Sequence, residues 1–344
     1  MNKEIVSKET INKEIINKKS VFNLLFNNTI IVILVIMVIY VGITKDNFIS
    51  LTNFKNISMN TAIRFLVALG VSGCLITKGT DLSAGRIVGL GACIAATLLQ
   101  RTDASGKFFP HLGNVPILGV LLLTVIICCM IGLMNGLIIT YLKVPPFITT
   151  LGTQTAVYGI CLVYTKATPL GSFRKEFIRI AGGDFLHIKN LSNLLVIAVV
   201  VGSLMWFLYN KTKHGKYMYA IGGNEVAAEV SGVHVTRSKI IIYTLAAGLY
   251  AIAGFLLASK SGGATVNYGQ GYELEAIAAC TIGGVSTNGG VGKISGILVG
   301  VLVFELLKSS LQFLGVPSDY TYIVQGVVIV FAVALDIRKY IAKK

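Results

Sequence analysis

The chain has 344 residues, of which 54% are hydrophobic and only 13% are charged, and its formal net charge at pH 7 is +15. Soluble domains carry about 25% charged residues, so this composition, with a mean hydropathy of +0.76, excludes an ordinary soluble fold and indicates a membrane protein. Because a membrane-spanning helix needs roughly 20 apolar residues, the length accommodates about eight to eleven spans and little else.

The first 19 residues are polar and rich in lysine, and we expect them to form a cytoplasmic N-terminal tail. The uncharged run from Ser20 to Thr44 is too long for a cleaved signal and is predicted to remain as the first span. Residues 20–337 then form a single transmembrane domain, and residues 338–344 form a cytoplasmic C-terminal tail.

Hydropathy predicts ten apolar segments, so the expected fold is an all-α, polytopic membrane protein. The segments lie at roughly 28–44, 60–77, 82–100, 116–142, 146–165, 192–209, 240–259, 273–288, 294–313 and 320–336. Only Lys78 to Asp81 separate the second and third segments, and the eighth is short and rich in glycine and alanine. We therefore expect broken or short helices near 78–86 and 273–292, where unwound backbone can line a pathway.

The distribution of basic residues predicts the orientation. With the N-terminus in the cytoplasm, 17 Lys and Arg residues fall in cytoplasmic segments, ten fall in external segments and three lie within spans. Cytoplasmic loops carry the excess of positive charge, so both termini are predicted to be cytoplasmic, and 210–239 is the longest cytoplasmic loop. This arrangement also accounts for the net charge without a nucleic-acid partner.

The first candidate site is the sequence GTDLSAGR at 79–86. Asp81 or Ser83 can simply cap the helix that follows, because their side-chain oxygens accept hydrogen bonds from free amides. The alternative is a break in the helix that places Asp81, Ser83 and Arg86 beside a pathway, since ionisable residues at membrane depth are functional candidates.

The second candidate site extends from Tyr272 to Gly292. Glu273 and Glu275 stand in a first helical turn, where the helix dipole favours negative charge. The glycine-rich run that follows is either a plain turn or the lining of a pore or gate, and we expect a close backbone contact at Gly284. The candidate pathway residues here are Glu273, Glu275, Gly283, Gly284 and Asn288.

Three further charges lie inside apolar segments. Glu305 and Lys308 are three residues apart on one helix and are expected to neutralise one another. Arg64 stands near one end of its predicted segment, so its side chain is expected to reach the membrane interface.

The loop 210–239 contains a predicted short helix that Asn224 caps and Gly232 ends. It exposes two valines, and Ala227 and Ala228 are small enough for a partner surface to approach closely. A solvated connector is the simpler interpretation, and a docking helix for a cytoplasmic partner is the preferred one. The candidate coupling residues are Asn224, Glu225, Ala227, Ala228, Glu229 and Gly232.

The sequence lacks the motifs of an enzyme. No segment matches the phosphate-binding pattern G-x-x-x-x-G-K-[ST], so the chain cannot hydrolyse nucleotides through such a loop. The four histidines are scattered and the six cysteines lie within apolar runs, so we predict no metal site, catalytic residue or cofactor.

These residues resemble the permeases of bacterial monosaccharide ABC importers of the ribose, xylose and galactose type. The matching stretches are GTDLSAGR at 79–86, NGLIITYLKVPPFITTLGT at 135–153, YAIGGNEVAAEVSGV at 219–233, YELEAIAACTIGGVSTNGGVG at 272–292 and QGVVIVFAVALD at 325–336. Within this family, TKGTDLSAGR followed by AATLLQ is most similar to the galactose/methyl-galactoside branch.

The resemblance implies a homodimer in the inner membrane that moves a small sugar by alternating access. It also implies a cytoplasmic ABC ATPase partner, which docks on the loop 210–239, and an extracytoplasmic sugar-binding protein. Two rivals remain: a secondary transporter driven by protons or sodium, which requires ionisable residues in mid-helix, and a passive channel or structural membrane protein.

Overall fold

The computed structural model describes residues 29–188 and 190–341, and these residues are helical with no strand longer than an isolated bridge. The predicted tail 1–19 lies outside the described residues, and of the predicted tail 338–344 only residues 338–341 lie within them. The helices are α1 (Thr29–Thr44), α2 (Leu51–Ile76), α3 (Ala84–Leu98), α4 (Ile117–Tyr141), α5 (Pro146–Thr165), α6 (Lys175–Gly182), α7 (Asn193–Lys211), α8 (Lys213–Gly223), α9 (Glu225–Val230), α10 (Val235–Ser261), α11 (Tyr272–Ile282), α12 (Ile294–Phe313) and α13 (Ser318–Ile341), with a 3₁₀ turn at Phe185–His187.

Each of the ten predicted apolar segments coincides with a helix, so the all-α, polytopic prediction is confirmed. In the described part of the chain, α2, α4, α5, α7, α10 and α12 are long and apolar enough to cross a membrane, and α1, α3 and α13 contain shorter apolar stretches. The short helices expected near 78–86 and 273–292 are α3 and α11. At about 1.5 Å per residue, the 11-residue α11 is about 16 Å long and cannot cross a hydrocarbon core of about 30 Å by itself.

The largest difference from the sequence prediction is in α2, which begins at Leu51 instead of near residue 60. The sequence from Asn53 to Asn60 is polar, so hydropathy excluded it, yet it forms two further helical turns that Ser50 caps by accepting from the Asn53 amide. The extension places Arg64 at the middle of α2. The expected position of Arg64 near one end of its helix is therefore corrected.

The core is built around α2 and α10, whose side chains are mostly buried, while α4, α5 and α7 leave most of theirs exposed. Glycines bring α4 and α10 together, because a Cβ at Gly132 would collide with the backbone of Tyr243 and one at Gly136 would press on Ile240. Small residues permit such close approach between membrane helices. Exposed leucines, isoleucines and valines on the outer helices suit contact with lipid.

Contacts between the connectors define two faces of the helical bundle. On face 1, Phe48 packs on Phe313, and isolated bridges join residues 100 to 173 and 170 to 264. On face 2, the turn after α2 meets the connector 283–293 and the loop that holds α8 and α9, for example where the Gly290 amide donates to the Ile76 carbonyl at 2.8 Å.

Candidate functional site

A buried network of charges joins α2, α11 and α12. The Nε of Arg64 lies 2.9 Å from Oε2 of Glu275 and 2.8 Å from Oε1 of Glu305. The Nζ of Lys308 donates to Oε1 of Glu275 at 2.6 Å, and the guanidinium carbon of Arg64 lies 4.9 Å from the centroid of the Tyr272 ring. Each carboxylate is therefore paired, and the network holds two positive and two negative charges.

This network corrects the expected pairing of Glu305 with Lys308. Residues three apart on a helix can pair, but Arg64 and Glu275 reach the same place from other helices and supply better-placed partners. Buried charged groups need a partner and hydrogen bonds to offset lost hydration. The arrangement fixes α2, α11 and α12 relative to one another.

The network lies at the base of a polar cleft that opens between α2 and α12 on face 1. The cleft has a volume of about 680 Å³. Its lining combines the polar first half of α2 with the last turns of α12, and it consists of Asn47, Ser50, Thr52, Asn53, Asn56, Ile57, Asn60, Arg64, Glu305, Lys308, Ser309, Gln312 and Phe313. The sequence prediction missed this cleft.

Hydrogen bonds connect the turn before α3 to two other helices. Oδ1 of Asp81 accepts from the amide of Ser83 at 3.0 Å and from its hydroxyl at 2.6 Å. The amide of Asn135 on α4 donates to that hydroxyl at 3.1 Å, and Thr153 on α5 donates to Oδ1 of Asn135 at 2.6 Å. Asp81 is 1% exposed. Asp81 therefore satisfies the amide of Ser83, the residue before α3, and begins a chain of hydrogen bonds across α4 to α5, but neither side chain caps α3 itself.

Arg86 and Glu273 lie where α3 meets the segment that precedes α11. Arg86 donates to the carbonyl of Val266 at 3.2 Å, and its guanidinium carbon lies 4.2 Å from the Tyr158 ring centroid. Glu273 is buried against Gly85, where a Cβ would collide with its carboxylate. These contacts hold the short helices α3 and α11 together.

The glycine-rich run 283–292 lies on face 2. A Cβ at Gly283 would collide with the backbone of Gly296, whereas nothing lies within 4 Å of a Cβ at Gly284, whose φ is +84°. The close contact expected at Gly284 is therefore at Gly283, and Gly284 is needed for its left-handed backbone. Asn288 lies in the same turn, where its amide donates to Oγ of Ser286 at 3.2 Å.

The turn packs against α8 and the end of α2. Tyr219 donates to the carbonyl of Gly292 at 2.9 Å, and Lys78 donates to the carbonyl of Gly223 at 3.2 Å. A Cβ at Gly222 would collide with the carbonyl oxygen of Ile76 and the amide of Gly290. Backbone therefore meets backbone at this junction.

Helix α9 follows α8 directly, and Asn224 is shared between them. Its side chain accepts from the amide of Ala227 at 3.1 Å, and its own amide donates to the carbonyl of Ala220 at 3.0 Å. Gly232 has a φ of +85°, so the predicted cap and the predicted helix end are both confirmed. Glu225 also pairs with Lys239 of α10 at 2.7 Å.

The side chains of α9 divide between an exposed and a buried surface. Val226 is 70% exposed and Val230 is 85% exposed, as expected, and Ala227 and Glu229 are exposed as well. Ala228 is buried in a small cluster with Ile221, Val233 and Val235. The expectation that Ala228 contacts a partner is corrected: it anchors α9 to the rest of the chain.

One histidine of this loop is half-buried. Burial lowers the pKa of His214, at the start of α8, below its usual value near 6.5, so the imidazole is neutral at pH 7.

The predicted pathway residues thus occupy four places. Asp81 and Ser83 lie in the turn before α3, Arg86 and Glu273 lie between α3 and α11, and Glu275 belongs to the charge network. Gly283, Gly284 and Asn288 lie on face 2. Within the described part of the chain, no group of His, Cys, Asp and Glu side chains is arranged to hold a metal ion.

The chain is similar to known permeases along most of its length. Residues 53–333 match the family described as branched-chain amino acid transport system / permease component. The galactose/methyl galactoside import permease protein MglC of Escherichia coli (strain K12) is 45% identical, with 95% of this chain and 98% of the relative covered. The protein of the same name from Haemophilus influenzae is 44% identical, with 94% and 97% covered. The ribose import permease protein RbsC of Bacillus subtilis (strain 168) is 40% identical, with 89% and 91% covered. No solved structure matches the chain significantly.

Proposed function

The chain belongs to the family of branched-chain amino acid transport system permease components, and from that premise we propose that it is the membrane-spanning permease subunit of an ATP-driven importer of galactose and methyl galactoside. The observation that carries the proposal is the similarity to galactose/methyl galactoside permeases of two organisms over at least 94% of this chain. The ribose permease is less similar, so ribose and xylose are the alternative sugars.

The chain makes and breaks no bond in the sugar. Because the sequence has no phosphate-binding loop, ATP hydrolysis belongs to a cytoplasmic ABC ATPase subunit, which biases this permease between outward-open and inward-open states. A shift from 1:99 to 99:1 needs about 5.5 kcal/mol of differential free energy. An extracytoplasmic binding protein delivers the sugar, and a second copy of the chain completes a homodimer.

The α8–α9 unit supplies a route for coupling. The ATPase contacts the exposed Val226 and Val230 of α9, and Asn224 passes the movement to α8 without an intervening loop. Tyr219 and Gly222 then act on the glycine-rich turn and on the end of α2. The turn before α3, with Asp81 and Ser83, and the junction of α3 and α11, where Arg86 and Glu273 lie, respond as the pathway opens.

A double substitution of Val226→Asp and Val230→Asp tests this route. Both side chains are exposed, so membrane insertion is expected to be normal, whereas co-purification of the ATPase from mild detergent and galactose uptake are expected to fall at least tenfold. Thr102→Asp, on the exposed connector of face 1, is the matched control. Normal uptake with normal ATPase retention in the double variant would make α9 a simple connector.

The orientation follows from the same proposal. Face 2 is cytoplasmic, face 1 is external, and both termini are cytoplasmic, in keeping with the 17-to-10 division of basic residues. Single cysteines at Ser7, Lys343 and Ser172 test it in intact cells. Only the cysteine at Ser172 is expected to react with an impermeant maleimide, and labelling at Ser7 or Lys343 from outside would reverse the assignment.

The charge network favours one rival, a proton-coupled carrier, because two buried glutamates share an arginine. The two hypotheses differ in their energy source. Uptake of labelled galactose by cells that lack other galactose transporters is expected to require the ATPase subunit and to survive a protonophore while ATP is maintained. Uptake without the ATPase that collapses with the protonophore would establish the rival.

A further inference from the structure

We propose that the polar cleft between α2 and α12 is a binding subsite for a neutral, polyhydroxylated sugar, reached from face 1. The inference rests on the proposed function and adds to it a location for the sugar. Neither the family match nor the predicted motifs assign a role to this cleft.

The lining offers hydrogen-bonding groups that the protein leaves free. Asn53, Asn56, Asn60 and Arg64 recur every three or four residues and so share one side of α2. Across the cleft, α12 contributes Ser309 and Gln312. The side-chain amides of Asn56 and Gln312 make no hydrogen bond to the described residues and are exposed to the cleft. An amide both donates and accepts hydrogen bonds, as sugar hydroxyls do.

The remaining amides and hydroxyls fix the walls. Asn53 donates to the carbonyl of Phe48 at 2.8 Å, and its Oδ1 lies 3.5 Å from Oγ of Ser309. Asn60 accepts a hydrogen bond from Lys260 at the end of α10. These contacts hold two of the lining side chains in place before any ligand arrives, which lowers the entropy lost on binding.

The balance of charge selects for a neutral ligand. The two cations at the base, Arg64 and Lys308, are paired with Glu275 and Glu305. An anion or a cation in the cleft would have to displace one of these buried partners, and leaving the other partner unpaired is costly. A neutral hydroxyl can instead form a hydrogen bond to these paired side chains without separating any pair. The volume of about 680 Å³ lies within the range of about 300–1,000 Å³ that is typical of small-molecule sites.

Protection of engineered cysteines by sugar is the direct test. Asn56→Cys and Gln312→Cys are made singly in the full-length chain, and their reaction with an impermeant maleimide is timed in membranes with and without high galactose. We expect galactose to slow both reactions at least threefold. Thr102→Cys on the same face, the unaltered chain and equimolar sucrose are controls. Equal rates with and without galactose at both positions would overturn the proposal.

Transport by leucine variants gives a second, independent readout. The complete importer is reconstituted with its ATPase and binding protein, and the ratio of galactose transported to ATP hydrolysed is measured. The double substitution of Asn56→Leu and Gln312→Leu is expected to lower that ratio at least fivefold, and Asn114→Leu, an exposed amide on face 1 outside the cleft, is expected to leave it unchanged. An unchanged ratio in the double variant would overturn the subsite. Failure of the unaltered importer to move galactose would instead contradict the proposed function.

Discussion

The helices are held together in opposite ways at face 1 and at face 2. Towards face 1, long side chains meet: Arg64, Glu275, Glu305 and Lys308 converge from three helices. Towards face 2, the closest contacts are between backbone atoms, where Gly222 and Gly290 lie against the end of α2.

This difference determines what each end tolerates. A network of ionised side chains has a few discrete arrangements, and each depends on every member having a partner. A backbone contact through glycine depends on the absence of any side chain. We therefore expect the contacts towards face 1 to be disrupted when a charge is removed, and those at face 2 to be disrupted when a side-chain atom is added.

Removal of the shared arginine is expected to have the largest effect. Arg64→Leu leaves Glu305 buried without a cation and Glu275 with Lys308 alone, and breaking a buried pair destabilises by about 3–5 kcal/mol. The thermal transition of the detergent-solubilised protein is expected to fall sharply. Arg64→Lys keeps the charge and is expected to lose less, so equal transitions for the two variants would contradict the network.

Addition of one methyl group at face 2 is expected to have the next largest effect. Gly222→Ala forces a Cβ into the Ile76 carbonyl, and overpacking of this kind costs about 1–3 kcal/mol. Nothing lies within 4 Å of a Cβ at the neighbouring Gly223, so Gly223→Ala is the matched control. Galactose uptake is expected to drop in the first variant and not in the second, and equal uptake would place the junction elsewhere.

A smaller effect is expected where glycine is needed for conformation alone. Gly284→Ala meets open space but has to adopt a φ of +84°, which costs a residue with a Cβ about 1–2 kcal/mol. Gly152→Ala, also in open space but helical, serves as the control. Thermal transitions that are equal for these two variants would mean that the turn relaxes.

The smallest effect is expected at an exposed ion pair. Lys55 lies 2.6 Å from Asp184, and both side chains are partly exposed, so Lys55→Met is expected to cost about 0.2–1 kcal/mol and less at high salt. A loss as large as that of Arg64→Leu would show that burial is not what distinguishes the two sites.

Hydropathy alone was sufficient to find the ten apolar helices, because each contains a nearly continuous run of apolar residues. It placed the start of α2 too late, since the asparagines of that helix face a polar cleft instead of lipid. Their spacing with Arg64 was already present in the sequence as a polar stripe. That stripe was the signal that could have revealed the cleft.

The pairing of charges could not be read from the sequence in the same way. Glu305 and Lys308 are close along one helix, and nothing local indicates that Arg64, more than 200 residues away, takes the glutamate instead. The glycine contacts have the same difficulty: Gly283 and Gly284 are adjacent, yet only one has a backbone neighbour. Local signals such as the Asn224 cap and the Gly232 helix end were predictable because both partners lie within a few residues.

The equal numbers of cations and anions in the network have an electrical consequence. A membrane potential does work of about 2.3 kcal/mol per elementary charge per 100 mV on a charge that crosses the full field. If α2, α11 and α12 move with their paired side chains, the displaced group carries zero net charge, and a neutral cargo adds none. The four paired side chains therefore contribute no net gating charge to such a movement, and we expect the network itself to add no voltage dependence to transport.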